Sequence, residues 1–196
     1  MEYIAHRINT INDLMNISYE YGVEIDLRDF GDRLILQHDP FKDGEEFEHF
    51  LKKYKHGTLI LNIKSEGIEF RVKMLLKKYN IKNYFFLDSS FPMTHVLSSS
   101  GEKKVALRFS EFEGVDTIIN MKNKVNWVWV DCFTEFPLNE KIYQILKNQF
   151  QLCLVSPELQ GHSISKIKEF AKYLNNYSFD AICTKRIDLW KNELCK

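Results

Sequence analysis

Apolar residues along this chain fall into short runs that alternate with longer stretches of helical period. The short runs are Tyr3–His6, Val23–Leu27, Thr58–Ile63, Tyr84–Leu87, Lys104–Phe109, Trp127–Cys132, Gln151–Val155 and Asp180–Thr184, and each reads as a strand. Between them, segments such as INDLMNISYEY, GEEFEHFLKKYK, GIEFRVKMLLKKY, NEKIYQILKNQ and SISKIKEFAKYL repeat their apolar residues at helical spacing, with lysines on the other side. Strand alternating with helix is the βα signature, and parallel strands joined in this way take right-handed crossovers. Eight such units predict an α/β fold, a compact TIM-type (β/α)8 barrel in which residues 1–196 form a single domain. RDFGDRLIL departs from the pattern. Asp29 to Asp32 is turn-like, Gly31 is suited to positive φ, and RLIL reads as a short extra strand, so a small β-hairpin should follow strand 2. A doubly wound sheet is the alternative, but it leaves His6 harder to place beside Glu24 and His38.

Composition narrows the class. A chain of 196 residues can bury a proper core, and its 15 Phe and 9 Tyr argue against disorder. Its 27 basic residues balance 27 acidic ones, which weighs against a nucleic-acid partner held by net charge. No apolar stretch is long enough for a transmembrane segment, and MEYIAHRINT lacks the apolar core of a signal peptide, so a cytoplasmic location is expected. Cys132, Cys153, Cys183 and Cys195 show no CxxC spacing; three of them lie in apolar runs and read as buried, reduced thiols. The abundance of Lys, Asn and Ile fits an AT-rich bacterial genome. Oligomeric state is not legible.

In a βα-barrel, functional side chains gather at the C-terminal ends of the strands. Here those ends carry His6, Arg7, Glu24, Asp26, Arg28, His38, Asn62, Lys64, Asp88, Arg108, Asp131, Glu158 and Thr184, while the strand interiors are almost wholly apolar. Glu24 and Asp26 stand two apart in a strand, so their side chains leave the same face. Like charges so placed call for a positive partner. A divalent cation is one answer, and salt bridges to Arg7, Arg28 or Lys64 are the other. Hard oxygen ligands without a thiolate point to Mg²⁺ or Ca²⁺. His6 and His38 end neighbouring runs and are the candidate base and acid, while the arginines and Lys64 suit a phosphate. His49, His56 and His95 read as surface residues, and His162 is left open. Asp131 and Glu158 are mouth-facing acids whose role stays open, with a hydrogen-bonded structural one at least as fitting as a functional one; Trp127, Trp129 and Phe133 read as packing, and the Ser pair of DSSFPM as a helix cap ahead of Pro92.

The order of these polar positions carries a resemblance. His-Arg in YIAHR, a helix, Glu-x-Asp in GVEIDLRDFGDRLIL, a short hairpin and His-Asp in QHDPF together resemble the glycerophosphodiester phosphodiesterase family, within the phospholipase-C-like phosphodiesterases. The motif spans Tyr3 to Pro40, with weaker echoes in LILNIKSEG and FDAICTKRIDLW. The resemblance implies a phosphoric diester hydrolase that needs a divalent cation and acts on a small-molecule glycerophosphodiester or related phosphate-linked sugar or glycerol compound. It implies His6 and His38 as acid and base, Arg7 and Lys64 as phosphate ligands, and Glu24 and Asp26 as metal ligands. Asn62 stands where the family carries a third carboxylate, and its carbonyl can ligate without adding charge. Ile8 stands in place of the family's glycine after His-Arg. HDPFKDGEEFEHFL runs almost directly into a helix where the family often inserts a covering segment, so the site should be open. Ile8 and Asn62 favour an alternative, a catalytically silent relative that binds a phosphorylated ligand or partner; the retained histidines oppose it. A Schiff-base role for Lys64 in an aldolase or isomerase is disfavoured by the nearby carboxylates.

Overall fold

The computed structural model describes residues 1–194, so Cys195 lies outside the described residues. In chain order the elements begin with β1 (Glu2–Ala5), α1 (Ile11–Met15), β2 (Gly22–Phe30), β3 (Arg33–Leu36), β4 (Glu45–Glu46) and α2 (Phe47–Leu51). There follow β5 (Leu59–Ile63), α3 (Glu69–Lys78), β6 (Tyr84–Leu87), α4 (Phe91–Ser99), β7 (Ala106–Phe109) and α5 (Val115–Asn120). The chain continues with β8 (Trp127–Val130), α6 (Glu140–Lys147), β9 (Gln151–Val155), a 3-10 turn (Pro157–Gln160), α7 (Lys166–Tyr173), β10 (Ala181–Thr184) and α8 (Ile187–Leu194). Each strand read from the hydrophobic runs is present, RLIL forms the expected extra strand β3, and a two-residue strand, β4, is added after it.

The chain divides into two compact units, His6–Gly101 and a second made of Met1–Ala5 with the chain from Glu102 onward. In the second unit the strand order is β1-β10-β9-β8-β7, every neighbour parallel. In the first, β2, β5 and β6 are parallel neighbours, and β3 and β4 add antiparallel on the other side of β2. β5, LILNI, is buried along its whole length, as expected of a parallel strand covered on both faces.

Val23, Ile25 and Leu27 of β2 are wholly buried and share one face, which leaves Glu24 and Asp26 together on the other. Register does the rest: Glu24 sits opposite Ile60 and Asp26 opposite Asn62, so the two carboxylates and the amide emerge on one face of adjacent strands.

Local chemistry shapes the connections. Phe30 pairs with Arg33, so Gly31 and Asp32 make a two-residue turn, and Gly31 takes φ +60. Gly44 is required for another reason. A Cβ there would meet the Leu36 carbonyl oxygen at 2.2 Å, so only glycine lets the chain re-enter the sheet so close to β3. Ser90 caps α4 by accepting from Met93 N–H at 3.3 Å, with proline in the first turn, as the DSSFPM pattern predicts.

Two helical segments are shorter than their periodicity suggests. α1 is capped by Thr10 but ends at Met15, where Asn16 turns its side chain back to the Asn12 carbonyl and a Ser18–Tyr21 turn leads into β2. In GEEFEHFLKKYK, Glu45 and Glu46 pair with β3 before the helix begins.

Three histidine readings divide. His49 and His95 are exposed, whereas His56 is half-buried, its Nε2 3.0 Å from the Ile17 carbonyl and its ring between Tyr19 and Tyr54. Cys132, Cys153 and Cys183 are buried and unbridged, and burial pushes the Cys132 thiol well above its usual range. No described helix is long and apolar enough to cross a membrane.

Candidate active site

His6 and Arg7 follow directly on β1. Arg7 adopts the left-handed conformation at φ 58, and this bend turns its N–H onto Glu24 Oε2 at 2.7 Å while Ile8 N–H reaches the Glu24 carbonyl at 2.8 Å. A non-glycine residue in that region is held at a cost of about 1–3 kcal/mol, and such strain persists where surrounding bonds over-determine it. The left-handed residue is Arg7 rather than Ile8, so the isoleucine brings no backbone strain of its own.

Glu24 is fully buried and Asp26 is 1% exposed. Glu24 Oε1 accepts from Asn62 Nδ2 at 2.8 Å, and His6 Nε2 stands 3.7 Å from Oε2. Burial, helped by the charge of Asp26, pushes the Glu24 carboxyl up to about 7 against the bonds from Asn62 and Arg7. Asp26 Oδ2 accepts from Asn9 Nδ2 at 2.8 Å and lies 3.3 Å from Arg7 Nε. Lys64 Nζ stands between two carboxylates, 3.7 Å from Asp26 Oδ1 and 3.3 Å from Asp88 Oδ2. Asp88, at the end of β6, is also left-handed, at φ 59.

One bonded network therefore joins His6, Arg7, Asn9, Glu24, Asp26, Asn62, Lys64 and Asp88. His38 is tied to it through the backbone: Gln37 N–H donates to the Asp26 carbonyl at 3.0 Å, and Arg28 donates to the His38 carbonyl at 3.0 Å. Its ring turns to Asp39, with Nδ1 2.9 Å from Oδ1. Hydrogen bonds from His38 and Lys42 pull the Asp39 carboxyl down to about 2, so it stays ionised across the working pH range.

Among the described residues, no group of three or more His, Cys, Asp and Glu is arranged to hold a metal ion. The oxygen set here is smaller, two carboxylates and one amide carbonyl, and two of its atoms are distinctive. Asp26 Oδ1 and Asn62 Oδ1 are buried and accept no hydrogen bond. Buried oxygens without donors are expected to be rare, and a hard cation satisfies them. Glu24, Asp26 and Asn62 thus fit Mg²⁺ or Ca²⁺ in donor chemistry. Arg7 and Lys64 supply the compensating charge that salt bridging would supply instead, whereas Arg28 takes no part in it.

The other unit holds its acids differently. Asp131 is fully buried and accepts from Arg108 at 2.7 Å, Gln160 at 2.7 Å, Cys132 N–H at 2.9 Å and Trp129 Nε1 at 3.3 Å. Glu158 accepts from the Ser156 hydroxyl, from Thr184 Oγ1 at 2.5 Å and from Lys185 N–H at 3.1 Å. Both acids are taken up in hydrogen bonding, and His162 bonds the Cys132 carbonyl at 3.1 Å. Trp127 and Trp129 are core residues, but Phe133 is 38% exposed and contacts the exposed Phe112, so it is not packing in the same sense.

Asn9 was not visible from sequence. Standing just before the capping Thr10, it reads as part of a helix start; only the left-handed turn at Arg7 directs it back onto β2.

No family model matches this chain, and no curated protein matches it. Solved structures do. An Agrobacterium tumefaciens protein assigned as a glycerophosphoryl diester phosphodiesterase superposes with a TM-score of 0.74 at 13% identity, covering 100% of this chain and 97% of the other. A glycerophosphoryl diester phosphodiesterase of Parabacteroides distasonis gives 0.69 at 12% identity, with 99% and 86% covered. A mutant tryptophan synthase α-subunit of Pyrococcus furiosus gives 0.61 at 10% identity, with 98% and 96% covered. The chain thus has an α/β fold of the TIM-barrel type, with the hairpin inserted after its second strand. That fold serves phosphodiesterases and at least one unrelated enzyme, so function must be argued from the site.

Proposed function

We propose that this protein is a metal-dependent phosphodiester hydrolase acting on a glycerophosphodiester-like or phosphate-linked sugar or glycerol compound. The observation that carries the reading is Glu24, Asp26 and Asn62 side by side on one strand face, with Asp26 Oδ1 and Asn62 Oδ1 buried and undonated and with two cations and a histidine around them. A divalent cation held by Glu24, Asp26 and Asn62 would supply charge to a non-bridging phosphate oxygen as negative charge builds in the transition state. Arg7 and Lys64 already face Asp26, and a phosphate oxygen offers each an equivalent anionic partner, Arg7 as a planar fork and Lys64 as a point charge. His6, 3.7 Å from the Glu24 carboxylate, suits the proton acceptor for the attacking oxygen. In the His38–Asp39 pair the carboxylate fixes the ring through Nδ1, which leaves Nε2 to deliver a proton to the leaving alkoxide.

A second reading is a catalytically silent binder of phosphorylated ligands. It draws on one observation: the residue beside the two carboxylates is the neutral amide of Asn62, which adds no charge to hold a cation. Release of alcohol from a panel of phosphodiesters, assayed with Mg²⁺, Ca²⁺, Mn²⁺ or EDTA, separates the two. The hydrolase reading expects cation-dependent turnover that is lost in His6→Ala and in Glu24→Ala. Cation binding with no turnover on any diester would favour the binder, and neither binding nor turnover would end both.

A further inference from the structure

Asn9 spends its entire side chain on one residue. Its Nδ2 donates to Asp26 Oδ2 at 2.8 Å, and its Oδ1 accepts the Asp26 backbone N–H at 2.8 Å. An asparagine ahead of a helix ordinarily serves the helix, yet α1 is capped by the neighbouring Thr10, which accepts from Asp13 N–H at 3.0 Å. The reciprocal pair grips Asp26 at both backbone and carboxylate, so neither its position along β2 nor its rotamer is left to drift. Arg7 Nε lies on the same carboxylate oxygen, Oδ2, at 3.3 Å. With Oδ2 so engaged, Oδ1 is the oxygen left buried and without a hydrogen bond, on the side of Asp26 that Lys64 approaches at 3.7 Å.

We infer that Asn9 is a positioning residue for the cation site: it locks Asp26 so that Oδ1 is presented to a divalent cation, resting on the cation reading given above. The reasoning is general to metal centres, where partners that orient a ligating carboxylate set affinity nearly as strongly as the ligands themselves. Asn9 would touch neither cation nor substrate, and its effect would pass through Asp26.

The test is isothermal titration of the full chain with Mg²⁺, Ca²⁺ and Mn²⁺ in wild type, Asn9→Ala and Asn9→Ser, each checked for folding by circular dichroism and thermal melt. Loss of the lock is expected to weaken cation affinity by roughly 10–100-fold in Asn9→Ala, with Asn9→Ser in between because a hydroxyl can still donate to Oδ2. A merely structural asparagine would lower the melting temperature without moving the dissociation constant, and an Asn9→Ala constant within twofold of wild type would overturn the inference. Should Asn9→Ala fail to fold, the Asn9→Ser constant decides on the same criterion. Absence of binding in wild type with every cation would instead remove the cation reading, and this inference with it.

Discussion

Replacing Glu24 by glutamine should stabilise the cation-free protein in alkaline solution while removing an anionic ligand. Burial and the charge of Asp26 raise the Glu24 carboxyl from 4.5 to about 7. The folded protein therefore holds a proton that the unfolded chain releases near pH 4.5. The stability tied to this proton is complete below pH 4.5 and is lost as pH rises through 7. A displacement of that size corresponds to about 3 kcal/mol between acid and alkaline limits. Glutamine escapes this loss because it never ionises. It has one acceptor oxygen, however, whereas Glu24 accepts from both Asn62 Nδ2 and Arg7 N–H, so one bond is forfeited at about 1 kcal/mol at every pH. The expected pattern is a crossing, with Glu24→Gln about 1 kcal/mol less stable than wild type at pH 4, close to it near pH 5, and about 2 kcal/mol more stable at pH 9. Urea unfolding in EDTA at pH 4, 7 and 9 measures it. Two stability curves that run parallel across this range would refute the reasoning. Added cation should then reverse the alkaline order, because only wild type keeps the full carboxylate pair and gains binding energy in its folded state.

Two further outcomes follow from the other unit. Asp131→Ala strips a fully buried carboxylate from four donors, Arg108 among them, and should cost about 3–5 kcal/mol in urea unfolding; a loss below about 1 kcal/mol would contradict the burial argument. Burial tends to raise the Glu111 carboxyl, but the N–H groups of Glu135 and Thr134 outweigh it and hold it at about 2. Its contribution is therefore present above pH 4.5 and disappears as pH falls through 2. Glu111→Gln should melt earlier at pH 7, by about 1 kcal/mol for a partly solvent-screened group, with the gap closing toward pH 2; a gap unchanged at pH 2.5 would be the contrary result.

What the sequence revealed and what it hid have separate causes. Period is a local property, so β6 and β9 can be bounded at both ends from their apolar runs, and the hairpin can be seen in Gly31. The Glu24–Asp26 face follows from strand alternation alone. Lengths of helices were less legible, because α1 stops where Asn16 and Ser18 bond locally, a competition that periodicity does not register. Long-range partners were invisible for a different reason. Asn9, seventeen residues from Asp26, reaches it only because Arg7 takes a left-handed turn, and nothing in a His-Arg-Ile-Asn string announces positive φ at arginine. The same holds for His56, whose carbonyl partner at Ile17 lies thirty-nine residues away.

Charge balance constrains both readings of the site in the same direction. Where β2, β5 and β6 run side by side, Glu24, Asp26 and Asp88 set three carboxylates against the two permanent cations Arg7 and Lys64. Burial first, and the charge of Asp26 after it, raise the Glu24 carboxyl, so this pocket disfavours a further unpaired negative charge. A phosphodiester brings one, and each close like-charge contact costs about 1–4 kcal/mol at 4 Å depending on solvent access. Either protons or a divalent cation must enter with it, and a divalent cation plus a monoanionic diester would leave the group neutral. A hydrolase and a silent binder therefore share the same requirement, and they part company only at His6 and His38. A phosphate ester bound as tightly in EDTA as in Mg²⁺ at neutral pH would contradict this balance, whichever role the histidines have.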